Sequence, residues 1–200
     1  MINTQSKSIN TNNQSKILFT SDLHVFHKNI IKYDSRPYFT VSEMNNNLIA
    51  NWNNKVTSKD TVYILGDVTW GNESETNWFL SQLNGTKHLI IGNHDKVIIK
   101  SKKLQSYFTS ISDYAKIIVP THQGNKTVIL SHYFIPLYDG HFKGAIHLHG
   151  HSHNTAEHYE EIKMAQTLND KGFENQIYNV GCMHWNYEPV TLDEILIKNE

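Results

Sequence analysis

Residues 145–154 read AIHLHGHSHN, with histidines at 147, 149, 151 and 153. A spacing of two puts alternate residues on one face of an extended strand. Gly150 divides the run, so the expected form is a strand that stops at a turn. Taken alone, the segment fits three things: a metal site, an unspecific surface tract that collects metal, or buried histidines that satisfy hydrogen bonds. The rest of the chain decides between them.

The same arrangement recurs along the sequence. ILF at 17–19 leads into TSDLH, with Asp22 and His24. TVYIL at 61–65 leads into GDVTWG, with Asp67. HLII at 88–91 leads into GNHD, with Asn93, His94 and Asp95. TVIL at 127–130 leads into Ser131 and His132, and AIHL at 145–148 leads toward His151 and His153. Short apolar runs rich in β-branched residues, bounded by turn residues, read as buried strands. In open α/β sheets, sites lie at the carboxyl ends of strands. One Asp after a strand is an ordinary turn residue. Five strand ends that all deliver metal-ligand types point to one convergent site. Gly66, Gly92 and Gly150 allow the chain to pass close to such a site.

Helical patterns fill the gaps. TVSEMNNNLIANWNNKV opens with Thr40 and Glu43 at capping-box spacing, and Met44, Leu48 and Trp52 form one apolar face. SETNWFLSQLNG carries Trp78, Phe79 and Leu83 and stops at Asn84-Gly85. DKVIIKSKKL reads as a short helix, and TLDEILIK has a second capping box at Thr191 and Glu194. HQGN at 122–125 reads as the turn of a hairpin joining strands near 114–119 and 126–131. Strands alternate with helices early and dominate later. That order predicts an α/β fold of two stacked sheets with helices outside.

Bulk composition narrows the class. The chain has 200 residues, a formal net charge of −1 and a single cysteine, Cys182. One domain over 16–200 is expected, behind a polar, disordered tail at 1–15. The charge balance gives no strong nucleic-acid signal and no membrane-surface patch. No apolar run approaches the ~18 residues of a membrane span. One cysteine allows no internal disulfide, which fits a reducing compartment. The expectation is the cytoplasm of a bacterium, or of its host if the gene is carried by a phage.

In order and rough spacing, DLH, GD, GNHD, SH and GHSH resemble the calcineurin-like metallophosphoesterases. The terminal NVG and NYEPVTLDEI are similar to the small, uncapped bacterial and phage members. The resemblance implies a four-layer α/β/β/α sandwich of two mixed sheets with flanking helices. It also implies two divalent metal ions. Asp22, His24, Asp67 and His153 resemble the ligands of the first; Asp67, Asn93, His132 and His151 those of the second, with Asp67 bridging. Imidazole, carboxylate and carbonyl oxygen together suit Mn, Fe, Ni or Zn, with Mn the first choice. The implied reaction is hydrolysis of phosphodiester bonds in a small-molecule phosphoester, nucleotides and cyclic nucleotides among them, by a hydroxide bridging the metals. His94 resembles the residue that contacts the phosphate and protonates the leaving oxygen. Asp95 or a backbone carbonyl is expected to hold its ring; the plainer reading of Asp95 is a cap for the helix that follows. His27 and Arg36 join Asn93 and His94 as expected substrate contacts.

Other residues receive plainer readings. His147 and His149 match no ligand position and are expected to orient or pack the strand. Lys28 reads as surface. Tyr133, Tyr138 and His141 lie in a loop that either stacks on substrate or covers the site. His88, His122, His158 and His184 read as structural or surface. Residues 154–175 read as a mobile flap or an extra helix. The alternatives to a phosphodiesterase are a phosphomonoesterase acting on small molecules or phosphoproteins, a nucleotide pyrophosphohydrolase, and an inactive metal-binding scaffold.

Overall fold

The computed structural model describes residues 15–199. The expected tail at 1–15 lies outside the described residues apart from Ser15. In chain order, β1 (Ile17–Thr20) is followed by α1 (Ile30–Tyr33) and α2 (Val41–Lys55), then β2 (Thr61–Ile64) by α3 (Glu73–Leu80). β3 (Thr86–Ile90) leads to α4 (Lys96–Lys100), α5 (Lys102–Gln105) and β4 (Ser110–Ser112). The second half runs through β5 (Tyr114–Thr121), β6 (Gly124–Ser131), β7 (Ile146–His149), α6 (Ala156–Asp170) and β8 (Gln176–Asn179). β9 (Val190–Thr191) and α7 (Leu192–Lys198) follow.

Two mixed sheets result. The first has the order β4-β3-β2-β1-β9, the second β5-β6-β7-β8. β1 to β4 are parallel and β9 runs against β1. In the second sheet β6, β7 and β8 are parallel and β5 runs against β6. Residues of alternate parity fill the space between the sheets: Phe19, Leu65 and Ile90 from one, Val128, Leu130, Ile146 and Leu148 from the other. The opposite face of the first sheet buries Leu18, Val62, Ile64 and Leu89 against Met44, Leu48 and Trp52 of α2 and Phe79 and Leu80 of α3.

The capping signals act much as the sequence predicts. Thr40 accepts from the Glu43 N–H at 3.1 Å, but the Glu43 carboxylate reaches past Thr40 to the Phe39 N–H at 2.8 Å. Thr191 and Glu194 form the reciprocal box on α7. A third box, Asn72 with Glu75, opens α3. Trp78 lies 43% exposed, and Thr76, Phe79 and Leu80 carry the buried face of α3. The expected single helix around 95–104 is two, because Ser101 is extended and caps α5 with its hydroxyl on the Leu104 N–H. The 154–175 segment resolves as helix α6, over the outer face of the second sheet. It buries only Glu161, whose carboxylate accepts from the Ser152 hydroxyl at 2.6 Å.

Candidate metal centre

Five strands, three from one mixed sheet and two from the other, end at one place. Asp22 and His24 follow β1, Asp67 follows β2, and Asn93 and His94 follow β3. His132 follows β6, and His151 and His153 follow β7. All seven expected ligands are thus delivered from carboxyl ends, three strands of one sheet and two of the other. The turns that do this are tight. Asp22, His24, Asp67, His151 and His153 all have positive φ, between 47° and 72°. Left-handed backbone costs a residue with a Cβ about 1–2 kcal/mol, and it persists only where the surroundings impose it. Here backbone hydrogen bonds do: Asp22 N to Gly66 O and His24 N to Asp67 O, each 3.0 Å.

The side chains form two groups. Asp22, His24 and His153 make one, and Asp67, His132 and His151 the other, each with its ligand atoms within 4.8 Å of one another. In the first, His24 Nε2 and His153 Nε2 lie 3.0 Å apart, and His153 Nε2 is 3.5 Å from Asp22 Oδ1. In the second, His132 Nε2 lies 3.0 Å from Asn93 Oδ1. Asp67 Oδ2 is 3.5 Å from His24 Nε2 and 3.6 Å from His132 Nε2, between the groups.

Outer contacts set the imidazoles for metal. His132 Nδ1 faces the Leu65 carbonyl at 2.7 Å, which leaves Nε2 to the site. Nδ1 of His24 and of His151 is buried without a hydrogen-bond partner. Burial, helped by the neighbouring His153, holds His24 well below the usual imidazole range, so one ring nitrogen keeps its lone pair free. Burial also raises Asp22, with Asp67 adding repulsion against the attraction of His153 and His132. Carboxylates crowded among imidazoles fit divalent cations, which would offset that cost.

Asp34 is a residue that sequence reasoning missed. Its carboxylate meets His153 Nδ1 at 2.8 and 3.0 Å. Burial opposes a charge on His153, but the Asp34 hydrogen bond and the Asp22 charge prevail and raise its pKa. Nothing in the local pattern YDSRPY marks Asp34 as a partner of a residue more than a hundred positions away.

Two expectations need correction. Arg36 does not face the cleft. Its buried guanidinium donates to the carbonyls of Leu23 (2.7 Å) and Asp22 (2.8 Å) and to Asp34 (3.0 Å). It braces the first ligand turn and has no face left for a phosphate. Asp95 does not hold the His94 ring. It is fully buried and accepts from the N–H groups of Asp67 (3.0 Å), Val68 (2.9 Å) and Gly92 (2.8 Å), tying the second and third ligand turns together. Burial pushes its pKa up to about 6 against those donors.

The His94 ring leans instead on Trp70, at 4.4 Å between centroids, and His27 stacks on the same indole at 4.3 Å. The His94 backbone N–H donates to Asp67 Oδ1 at 2.8 Å, and its Nε2 stands 4.0 Å from Asp67 Oδ2. His27, Tyr33, Trp70, Asn93 and His94 line a cleft of about 370 Å³ over the ligand groups.

The remaining residues are placed as follows. His147 and His149 point to the outer face of the second sheet and are buried there. Lys28 is exposed. Tyr133 packs edge-on against His132 and His151. Tyr138 is buried, with its hydroxyl donating to the Ala145 carbonyl, and His141 faces the Phe173 carbonyl. His88 meets Ser110, His122 meets Asp193, and His158 stacks on His184.

An α/β sandwich with two adjoining carboxylate–imidazole groups, and one carboxylate between them, offers two candidate sites for metal ions. The comparisons agree. The calcineurin-like phosphoesterase family model matches residues 15–184, and the chain belongs to that family of metal-dependent phosphoesterases. An uncharacterised protein of Methanocaldococcus jannaschii is 37% identical over 183 residues, covering 90% of this chain and 89% of its own. The gene 66 protein of Mycobacterium phage L5 is 32% identical over 165 residues, 70% of this chain and 78% of its own. A crystal structure of a protein of unknown function from Aquifex aeolicus superposes with a TM-score of 0.66 at 26% identity, over 93% of this chain and 99% of that one. Among the described residues no helix is long and apolar enough to cross a membrane.

Proposed function

We propose that the chain is a two-metal phosphodiesterase. The observation that carries this reading is Asp67, whose Oδ2 stands 3.5 and 3.6 Å from one imidazole of each ligand group. Asp22, His24 and His153 would hold one ion; Asn93, His132 and His151 the other; Asp67 would be shared. When bound, two divalent ions supply Lewis acidity and a water-derived nucleophile at neutral pH. The mixed donor set favours Mn, with Fe, Ni or Zn as alternatives. A cytoplasmic setting is in keeping with the free, buried thiol of Cys182.

The protein's own groups do the rest. His94 is one-third exposed at the mouth of the cleft, where Nε2 can hold the proton that the leaving oxygen needs. Asn93 and His94 present polar atoms to the phosphoryl group. His27, Tyr33 and Trp70 form an apolar wall for an ester arm. No Lys or Arg is among the residues lining this cleft, and Arg36 is turned away from it. Such a surface suits the single charge of a diester better than the double charge of a monoester.

The test compares an aryl phosphodiester with its matching monoester, in Mn²⁺, for wild type, Asp67→Asn and His94→Gln. Diester turnover should lead and should vanish in Asp67→Asn. His94→Gln should lower kcat about a hundredfold for alkyl leaving groups and less for nitrophenolate, which leaves without a proton. A monoester preference would replace the reading with a phosphatase. A metal-loaded protein that turns over neither would point to the inactive scaffold.

A further inference from the structure

The cleft over the ligand groups does not end at Trp70. A second groove, of about 230 Å³, lies beyond it and shares Trp70, Asn93 and His94 with the first. The two differ in charge. The second contains Lys96, which is exposed at the start of α4. The next basic residues, Lys100, Lys102 and Lys103, are also exposed, and none of the four makes an ion pair among the described residues. The acid beside them in sequence, Asp95, gives them nothing: it is fully buried and occupied by three backbone N–H groups.

A phosphodiester has two ester arms, and hydrolysis treats them differently. The oxygen of water forms the new bond to phosphorus. The bond from phosphorus to the leaving oxygen breaks, and that oxygen takes the proton held by His94; the proton that the water gives up passes to solvent, from which His94 is reprotonated. The products are a phosphomonoester and an alcohol. The leaving arm must therefore run past His94, and His94 stands where the two grooves meet. The retained arm keeps the apolar cleft of His27 and Tyr33. We propose that the groove beyond Trp70 binds the leaving alcohol, and that Lys96 there selects an alcohol carrying a second phosphate. The inference rests on the phosphodiesterase reading and adds a substrate class to it: diesters whose leaving side is itself phosphorylated, as within a short nucleotide chain.

The test uses the full chain in Mn²⁺ and three thymidine dinucleotides: one without a terminal phosphate, one phosphorylated at its 5′ end, one at its 3′ end. The products show which nucleoside leaves. A phosphate on the leaving nucleoside should raise kcat/KM about two- to fivefold through KM, the upper part of the range for one accessible ion pair, and molar salt should erase the gain. A phosphate on the retained nucleoside should not help. Lys96→Met should remove the discrimination and Lys96→Arg should keep it. If neither phosphate helps while the plain dinucleotide and an aryl diester are both hydrolysed, the subsite is overturned and the phosphodiesterase stands. A gain that survives in Lys96→Met overturns the assignment to Lys96. If no diester is hydrolysed, the phosphodiesterase reading falls and the subsite falls with it.

Discussion

Asp34 grips His153 from behind the candidate metal centre: both carboxylate oxygens lie within 3.0 Å of Nδ1. The same carboxylate holds Arg36, which in turn donates to the carbonyls of Asp22 and Leu23. One buried ion pair therefore fixes both the ring of His153 and the turn that carries Asp22. Partners behind metal-binding histidines are worth about 10- to 100-fold in metal affinity. Asp34→Asn should weaken Mn²⁺ binding by that much in calorimetric titration. It should also lower stability by about 3 kcal/mol, because Arg36 loses its buried partner. Unchanged Mn²⁺ affinity in a folded variant would remove Asp34 from the site.

Trp70 should matter without touching metal. Its indole is packed by His27 on a nearly parallel plane, 21° apart, and by His94 at 43°. Among the described residues no side-chain hydrogen bond holds the His94 ring, and packing on Trp70 is what gives it direction. Trp70→Ala should lower kcat about 10- to 100-fold, as a small misplacement of a proton donor does. Trp70→Phe should recover much of that. In the metal-free protein, the ring protons of His27 and His94 should move downfield in the NMR spectrum when the indole is removed. If those signals stay where they were in Trp70→Ala, the packing role fails.

The legible part of this molecule was the part written in local pattern. Strand followed by ligand, repeated five times, predicted two sheets and their common end. The capping residues Thr40 and Thr191 fixed the starts of α2 and α7. What escaped depends on distance in sequence. Asp34 meets a residue 119 positions away, and Asp95 binds amides of a turn 27 and 28 positions away. Arg36 looked like a phosphate clamp because its charge is visible and its burial is not. Lys96 was hidden for the opposite reason. The sequence balances charge over the whole chain and does not show which lysines stand beside the cleft.

Gly92 tests how tightly the ligand turns are packed. A Cβ there would collide with the Asp67 carboxylate oxygen Oδ1 and come 2.5 Å from the Asp67 amide nitrogen. The neighbour that would have to move is the carboxylate proposed to be shared. Gly92→Ala should cost about 1–3 kcal/mol, the usual range for overpacking a close-packed site. It should also reduce the bound Mn²⁺ from two ions per chain. Two ions held with wild-type affinity would mean that the Gly92 turn yields to a methyl group without moving the Asp67 carboxylate.

His147 supplies a pH signature that is independent of the metal centre. It is fully buried on β7, with Nδ1 3.2 Å from the Ile129 carbonyl and Nε2 accepting from the Ile135 N–H at 3.1 Å. A neutral ring satisfies both contacts; a protonated one loses the acceptor. Burial pushes its pKa down to about 4, against the weaker opposing pull of the Ile129 and Tyr133 backbone groups and of Glu161. In the unfolded chain it titrates near the ordinary value of about 6.5. Between these values the unfolded chain binds a proton that the folded chain refuses. The stabilisation is therefore complete above about pH 6.5 and is lost as pH falls toward 4, about 3 kcal/mol in all. His149, also buried and shifted down, pulls the same way. His147→Gln cannot titrate, so its urea-unfolding free energy, measured with chelator present, should fall less steeply between pH 7 and 5 than that of wild type. Parallel curves for the two proteins would mean that His147 is not the buried neutral group described.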